Sequence, residues 1–331
     1  MNSLKKKLIM AVTVALLAVN ANAGIDLQSI NVDEPLPAAT AHQLLDKVIL
    51  HNPAVLDTMN VEISDMQHRG LFSVVFAYVG RGKSGFPTEI YVVTVDKKGN
   101  FIDGALLGMM GDVRNLVIDR DPEMQYRPNT GISYDLTDDT IKVKRTYSFF
   151  TTQLGGRYMH KDGEIFNPFV LKADGTLKQL PAYTTAIMQE GHAPLPGKEE
   201  LPTRTATKGE YYGYGMNVLQ LMQTPVSAFD MEKVNNLAKW AAQTKARPNS
   251  TDAFNVHEFG VWSSALCMRH ASDALTWIAR NQDADMLSGH ILEQAKDGIY
   301  GGEKAWLEQC VKNLKDKKAR KWWQGMLKKV N

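Results

Sequence analysis

The chain has 331 residues and a formal net charge of +2 at pH 7. This length is enough for a large apolar core and favours two domains, with one large domain as the alternative. Three lysines lie among the first seven residues, and the chain from residue 24 onward carries 35 basic against 36 acidic residues. A charge so evenly balanced gives no reason to expect a nucleic-acid partner.

The first 23 residues have the three parts of a secretory signal peptide. A basic start over residues 1–7 precedes a 12-residue apolar run over 8–19, and Ala21-Asn22-Ala23 supplies small residues for cleavage after Ala23. The apolar run is shorter than the roughly 20 residues that span a bilayer, and no second run of that length follows. We therefore expect a soluble exported protein, periplasmic or extracellular, and no lipid anchor, because no cysteine lies at the cleavage point.

Residues 24–180 are predicted to form an N-terminal helix and an antiparallel β-sheet domain. Apolar residues at helical spacing predict a helix over 40–50, with Thr40 as its N-cap and Asn52-Pro53 as its stop. From Val61 onward, β-branched and aromatic runs alternate with turn residues. The predicted strands are 71–79, 90–95, 101–107, 115–118, 132–136, 141–150, 164–171 and 176–180.

Short turns are predicted between these strands, at residues 96–100, 137–139, 161–163 and 173–175. Connections of this length join antiparallel neighbours, because a parallel crossover needs a dozen residues or more. The sequence therefore predicts one antiparallel β-meander over residues 61–180, with the helix at 40–50 covering one of its faces.

The second half of the chain is predicted to be helical after a proline-rich connection over residues 181–227. The helical region, 228–331, is divided into helices over 230–245, 252–281, 284–296 and 303–330, with Asp230 and Asp252 as N-caps of the first two. Strands followed by helices are typical of the α+β class or of two separate domains.

The cysteines are Cys267 and Cys310, and export would place them where a disulfide persists. A bridge between them would close a loop of roughly 43 residues, worth about 4 kcal/mol in a chain-entropy model. The alternative is two buried free thiols. We expect the disulfide.

A glycine-rich segment over residues 77–84 matches a relaxed P-loop pattern, with Ala77 in place of the first glycine. A P-loop works when it opens directly into a helix whose N-terminus holds phosphate. Here Pro87 and a β-prone run follow, so the segment is predicted to be a hairpin turn. We expect neither a nucleotide nor another cofactor.

Candidate catalytic residues are few. His257-Glu258 begins like a zinc-protease motif, but Val261 stands where the second histidine is required. Cys267 and His270 are three residues apart on a helix, a spacing suited to a metal or to an activated thiol, although two ligands do not make a site. No metal site is predicted, and His257, Glu258 and His270 remain weak candidates for a hydrolase.

Two aromatic clusters are candidate binding surfaces. Tyr211, Tyr212 and Tyr214 are interspersed with glycines and are suited to a glycan or protein contact, unless they pack between sheet and helices. Trp322 and Trp323 lie in a terminal stretch, residues 304–331, that holds nine basic residues against two acidic ones. Such a helix either docks on the bundle through its tryptophans or lies on an anionic membrane.

No complete catalytic signature is present, so the leading hypothesis is a non-enzymatic exported binding protein for an unknown protein or glycan in the envelope or outside the cell. The alternatives are an exported hydrolase acting on cell-envelope or extracellular polymer, and a protein associated with the membrane surface through its basic C-terminal helix.

Overall fold

The structure, a computed structural model, describes residues 24–81, 88–110, 124–127, 132–153, 157–184, 221–243, 251–281, 284–297 and 303–328. For 124–127, 145–153, 157–165, 184, 240–243, 251–259 and 297 it describes the backbone alone. Predictions for residues 115–118 and for most of the connection 181–227 lie outside this set.

The described chain has the α+β architecture predicted from the sequence, with β-strands followed by helices. The strands are β1 Val61–Arg69, β2 Phe72–Val79, β3 Thr88–Asp96, β4 Phe101–Met110, β5 Met124–Arg127, β6 Ile132–Thr137, β7 Thr140–Gln153, β8 Arg157–Phe166, β9 Phe169–Leu171, β10 Leu177–Gln179 and β11 Tyr183–Thr184. The helices are α1 Ala38–Leu45, α2 Met231–Gln243, α3 Thr251–Arg269, α4 Ala271–Arg280, α5 Asp285–Asp297, α6 Glu303–Asn313 and α7 Lys317–Leu327.

The strands form two antiparallel sheets instead of one continuous meander. The first sheet has the order β1-β2-β3-β4 and is a simple meander. The second has the order β10-β9-β7-β8-β11, and the long strand β7 also pairs with β5 and β6. The prediction of an antiparallel meander therefore holds for the first sheet, whereas the second is organised around one strand long enough to pair with several short ones.

Two local predictions in the second sheet are wrong. The turn expected at 161–163 lies inside β8, where Gly163 is the register partner of Tyr147 on β7. Pairing along β7 outweighs the local turn preference of Asp162-Gly163, since strand formation depends strongly on tertiary context. The strand expected at 164–171 is divided into β8 and β9 at Asn167-Pro168, where proline has no backbone N–H for the ladder.

The glycine-rich segment near residue 80 follows β2, and its part from residue 82 onward lies outside the described residues. Strands β2 and β3 are antiparallel partners on either side of it, with Val79 opposite Glu89. Gly80 has φ +79°, a left-handed conformation that glycine adopts without a steric penalty. The next described element is strand β3, and not the helix that a phosphate-binding loop requires.

The first sheet forms the middle layer of the molecule. Its strands β2, β3 and β4 are buried on both faces, whereas the edge strand β1 is partly exposed. One face, which includes Val75 and Val93, belongs to an apolar cluster shared with α1 and the C-terminal helices. The opposite face, which includes Phe76 and Val92, packs with Phe169 and other residues of the second sheet. The helix α1 thus covers this sheet together with the C-terminal helices, and the second sheet covers the other side.

The segment 221–228 covers the edge strand β4. The side-chain amide of Gln223 donates to the backbone oxygen of Leu107 at 2.6 Å. Asp103, fully buried, accepts from the backbone N–H of Ser227 at 2.9 Å and from that of Leu177 on β10 at 2.8 Å. An exposed edge strand can pair with other chains. Here the segment 221–228, which precedes α2, covers the edge of β4.

The helices predicted over 40–50, 252–281 and 303–330 are shorter in the structure or divided in two, whereas the one predicted over 284–296 is found at Asp285–Asp297. Asp230 caps α2 as expected, accepting from the backbone N–H of Glu232 at 2.9 Å. The helix predicted over 252–281 is interrupted at His270, and the one predicted over 303–330 is interrupted at residues 314–316. There Asp316 caps α7 and pairs with Arg280 of α4. The helix predicted over 40–50 begins at Ala38, after Pro37, and ends at Leu45.

Gly104 on β4 allows the turn after α1 to approach the sheet closely. A Cβ atom at this position would lie 2.9 Å from the backbone oxygen of Val92 and 3.0 Å from a methyl group of Val48. Gly104→Ala should therefore lower the free energy of unfolding by about 1–3 kcal/mol, the usual cost of overpacking. Gly289→Ala is the matched control, because nothing lies within 4 Å of a Cβ on this α5 glycine, and we expect it to stabilise by about 0.5–1 kcal/mol. Equal effects of the two substitutions in urea denaturation would contradict this packing argument.

Candidate functional site

A buried cluster of ionisable groups lies between the first sheet and the turn that follows α1. Glu89 on β3 has no solvent exposure, and His51 has 7%. Nε2 of His51 lies 2.5 Å from Oε1 of Glu89, and the hydroxyl of Tyr91 donates to Oε2 of Glu89 at 2.8 Å. No local spacing in the sequence indicates this cluster, although Glu89 stands out as a carboxylate within an apolar, β-prone run.

The chemistry of this cluster is limited by its burial. A His–Glu pair is a common acid–base arrangement, but a general base must come within hydrogen-bond reach of a substrate proton. Glu89 is completely covered and is already bonded by His51 and Tyr91. A buried carboxylate needs such partners because an unpaired charge in the interior is very costly. The cluster therefore joins the turn after α1 to the sheet.

A second group of ionisable residues lies at the end of α3. The buried Arg269 guanidinium donates to the backbone oxygen of Thr224 at 3.0 Å and to Nε2 of His270 at 3.2 Å. Desolvation lowers the pKa of Arg269 to about 10, and electrostatic interactions with Tyr91 and Asp103 oppose that shift. Arg269 thus ties the end of α3 to the segment that covers β4.

His270 is held in its neutral form. Burial, and then the neighbouring charge of Arg269, lower its pKa to about 3. Its ring stacks on Phe229 with the centroids 3.9 Å apart and the planes 5° from parallel. Because Nε2 accepts from Arg269, this arrangement does not favour His270 as a catalytic base. His257 and Glu258, the other hydrolase candidates, lie on α3, with side chains outside the described residues.

The expected disulfide between Cys267 and Cys310 is absent, and both residues are free thiols. Cys267 lies on α3 with its sulfur 3.9 Å from that of Met231 on α2. Cys310 lies on α6, which packs mainly against α4, α5 and α7, whereas α3 packs mainly against α2, α4 and α5. The two helices are not principal neighbours, and helical placement in the sequence could not show this. Burial raises the pKa of Cys267 to about 12 and that of Cys310 to about 11.

The two tryptophans predicted as a binding surface have different environments. Trp323 is fully buried, and its indole N–H donates to the backbone oxygen of Leu275 on α4 at 2.8 Å. Trp322 is partly buried and meets Trp323 edge-on at 5.0 Å. Trp323 therefore anchors α7 to the helical layer. The other candidates, Tyr211, Tyr212 and Tyr214, lie outside the described residues.

The opposite side of α7 carries exposed lysines. Lys317 and Lys321 of α7 and its C-cap, Lys328, are spaced by four and seven residues. Because Lys328 keeps the right-handed helical conformation, all three lie on one side of the helix, and we call them the lysine face. Ala319 and Trp323 occupy the buried side. Lys312, Lys315 and Lys318 are also exposed nearby in the chain. Among the described side chains, this is the predicted binding region that remains open to a partner.

Comparison with protein-family models and with curated proteins finds no match. Among the residues that the structure describes, no three His, Cys, Asp or Glu side chains form a group that could hold a metal ion. None of the described helices is long and apolar enough to cross a membrane.

The depressed pKa of His270 predicts a loss of stability in acid. The folded-state pKa is about 3 and the ordinary value is 6.5, so between these values the unfolded chain binds a proton that the folded chain does not. The free energy of unfolding should then fall with decreasing pH, by at most about 1.4 kcal/mol per pH unit for one proton. His270→Gln keeps an acceptor for Arg269 and should give a shallower slope between about pH 6 and 4. Parallel stability–pH curves for the two proteins would contradict a neutral His270.

The free thiols predict slow reaction with a thiol reagent. Only the thiolate reacts, and burial disfavours it at both cysteines. Without reductant, the folded protein at about pH 8 should react slowly with Ellman's reagent, and the denatured protein should release two equivalents. Cys310→Ser should leave the slow reaction of fully buried Cys267 and remove one equivalent after denaturation. If the denatured parent protein released no equivalents, the two cysteines would be joined in a disulfide and the assignment of free thiols would be wrong.

Proposed function

We propose that this protein is an exported, non-enzymatic binding protein whose lysine face on α7 contacts an acidic partner in the envelope or outside the cell. The observation that carries the proposal is the exposed set Lys317, Lys321 and Lys328 on a helix whose apolar side is anchored in the core. The pattern of residues 1–23 supports export.

The lysine face is unfavourable for the stability of α7 itself. Lys317 and Lys318 occupy the first turn, where the helix dipole disfavours a positive charge by about 0.3–1 kcal/mol per residue. Lys317 and Lys321 are like charges four residues apart, which adds a few tenths of a kcal/mol. Within the described part of the chain, no carboxylate lies at ion-pair distance from these lysines. An acidic partner would supply the missing compensation.

Contacts with α4 hold the backbone that carries the lysine face in a defined position. Asp316 caps α7 by accepting from the backbone N–H groups of Lys318 and Ala319 at 2.8 and 3.0 Å. Asp316 also pairs with Arg280, and Trp323 donates to Leu275, so the helix is tied to α4 at two levels. A surface ordered before binding loses less conformational entropy on association. The hydrolase alternative gains no comparable support, since His270 is neutral and Glu89 is covered.

The proposal predicts salt-sensitive binding to heparin, a soluble polyanion used here as the probe. The triple variant Lys317→Glu, Lys321→Glu and Lys328→Glu should weaken binding by at least about tenfold, since each exposed ion pair is worth up to about 1 kcal/mol. The matched control reverses three exposed lysines of the β layers, Lys97, Lys172 and Lys178, and changes the net charge equally. Equal loss in both variants, measured by isothermal calorimetry at low salt, would mean that net charge and not the lysine face controls binding.

A further inference from the structure

We infer that the acidic partner of the lysine face is the surface of an anionic phospholipid bilayer, contacted without insertion of the helix. This inference rests on the function proposed above and names the partner of that same surface. It is carried by the charge distribution along the chain, by the composition of the exposed surface, and by the burial of the apolar side of α7.

Basic and acidic residues are unevenly distributed along the chain. Residues 24–303 contain 26 basic and 34 acidic residues, whereas residues 304–331 contain nine basic and two acidic residues. A negatively charged plane attracts the basic end and repels the acidic body, so the protein is oriented as it approaches. Each lysine near an anionic bilayer contributes on the order of a fivefold gain in affinity. This uneven distribution predicts contact with α7 towards the lipid.

The exposed surface of α7 lacks the features of a tight protein–protein interface. Such interfaces have a desolvated centre with aromatic or large apolar anchors. The large apolar side chains that are exposed in the described residues are Val32, Leu71 and Tyr183, all before the C-terminal helices. Lysine presents a flexible point charge, which suits laterally mobile headgroups and needs no fixed complementary shape.

The apolar side of α7 is already used within the protein. Ala319 and Trp323 are buried, and Trp322, Met326 and Leu327 pack against the same core cluster. An amphipathic helix that inserts into a bilayer must bury such a side in the acyl region. In this fold insertion would require α7 to leave α4. Membrane contact is therefore electrostatic and superficial, unlike the insertion mode that the sequence of a basic amphipathic helix suggests.

The test uses protein expressed from the full-length coding sequence, purified in soluble form and sedimented with vesicles. Vesicles containing phosphatidylglycerol should bind it, and vesicles of phosphatidylcholine alone should not. Reversing Lys317, Lys321 and Lys328 to Glu should weaken binding by at least about 100-fold, whereas the control reversal of Lys97, Lys172 and Lys178 should change it by less than about threefold. Raising the salt concentration should release the protein, because screening shortens the reach of surface charges.

Tryptophan emission distinguishes surface contact from insertion. The emission maximum should stay unchanged on binding to vesicles, because Trp323 remains in the core. A blue shift that is abolished by Trp322→Phe would show that the helix inserts and would overturn the non-inserted geometry. Lipid binding that survives reversal of the lysine face would overturn the assignment to α7.

Binding to heparin without binding to anionic vesicles would overturn the lipid assignment and leave the proposed function standing. Failure to bind either probe would overturn both. Light scattering tests whether a second copy of the protein binds the lysine face instead. Dimers that form at low salt and are abolished by the lysine reversal, in a protein that does not bind vesicles, would assign the lysine face to the acidic body of a second copy. That result would overturn this inference.

Discussion

Strands β2, β3 and β4 have no solvent-exposed face, and this constraint organises the rest of the molecule. A polar group on such a strand must find its partner inside the protein, since an unsatisfied buried group costs about 1–3 kcal/mol. Glu89 is bonded by His51 and Tyr91, and Asp103 accepts from residues of β10 and of the segment before α2. Thr94 donates to the backbone oxygen of Gly175 at 2.6 Å. These few polar contacts connect the middle sheet to the turn after α1, to the second sheet and to the lead-in to the helices.

The same burial decides which residues are reactive. Desolvation favours the neutral forms of His270, Cys267 and Cys310, so groups that look like catalytic candidates in sequence are packed into the structure. The lysines of α7 have the opposite status, because the fold anchors the helix through Trp323 and gains nothing from Lys317, Lys321 and Lys328. Because these lysines do not stabilise the fold, their surface is the best candidate for an interaction with another molecule.

The sequence predicted the elements whose local signals agree with their surroundings. Asp230 before an apolar helical stripe is a cap in the structure, and the continuous apolar run of β2 is a strand. Prediction from the sequence failed where contact with a residue distant in the chain outweighs a local conformational preference. Asp162-Gly163 favours a turn but lies opposite β7, and the helix through His270 is interrupted where that ring meets Phe229. The buried Glu89 cluster joins residues 38 positions apart, which no local spacing indicates.

By itself, the sequence determined the order of strands and helices, the hairpin in place of a nucleotide loop, and the basic character of the last helix, because periodicity, turn chemistry and charge are properties of neighbouring residues. The tertiary structure alone decided that there are two sheets, that the first is covered on both faces, that Cys267 and Cys310 stay apart, and that Trp323 faces inward while the lysines face outward. These outcomes depend on which apolar surfaces pack against each other and exclude water. That packing is set by contacts between residues far apart in the chain.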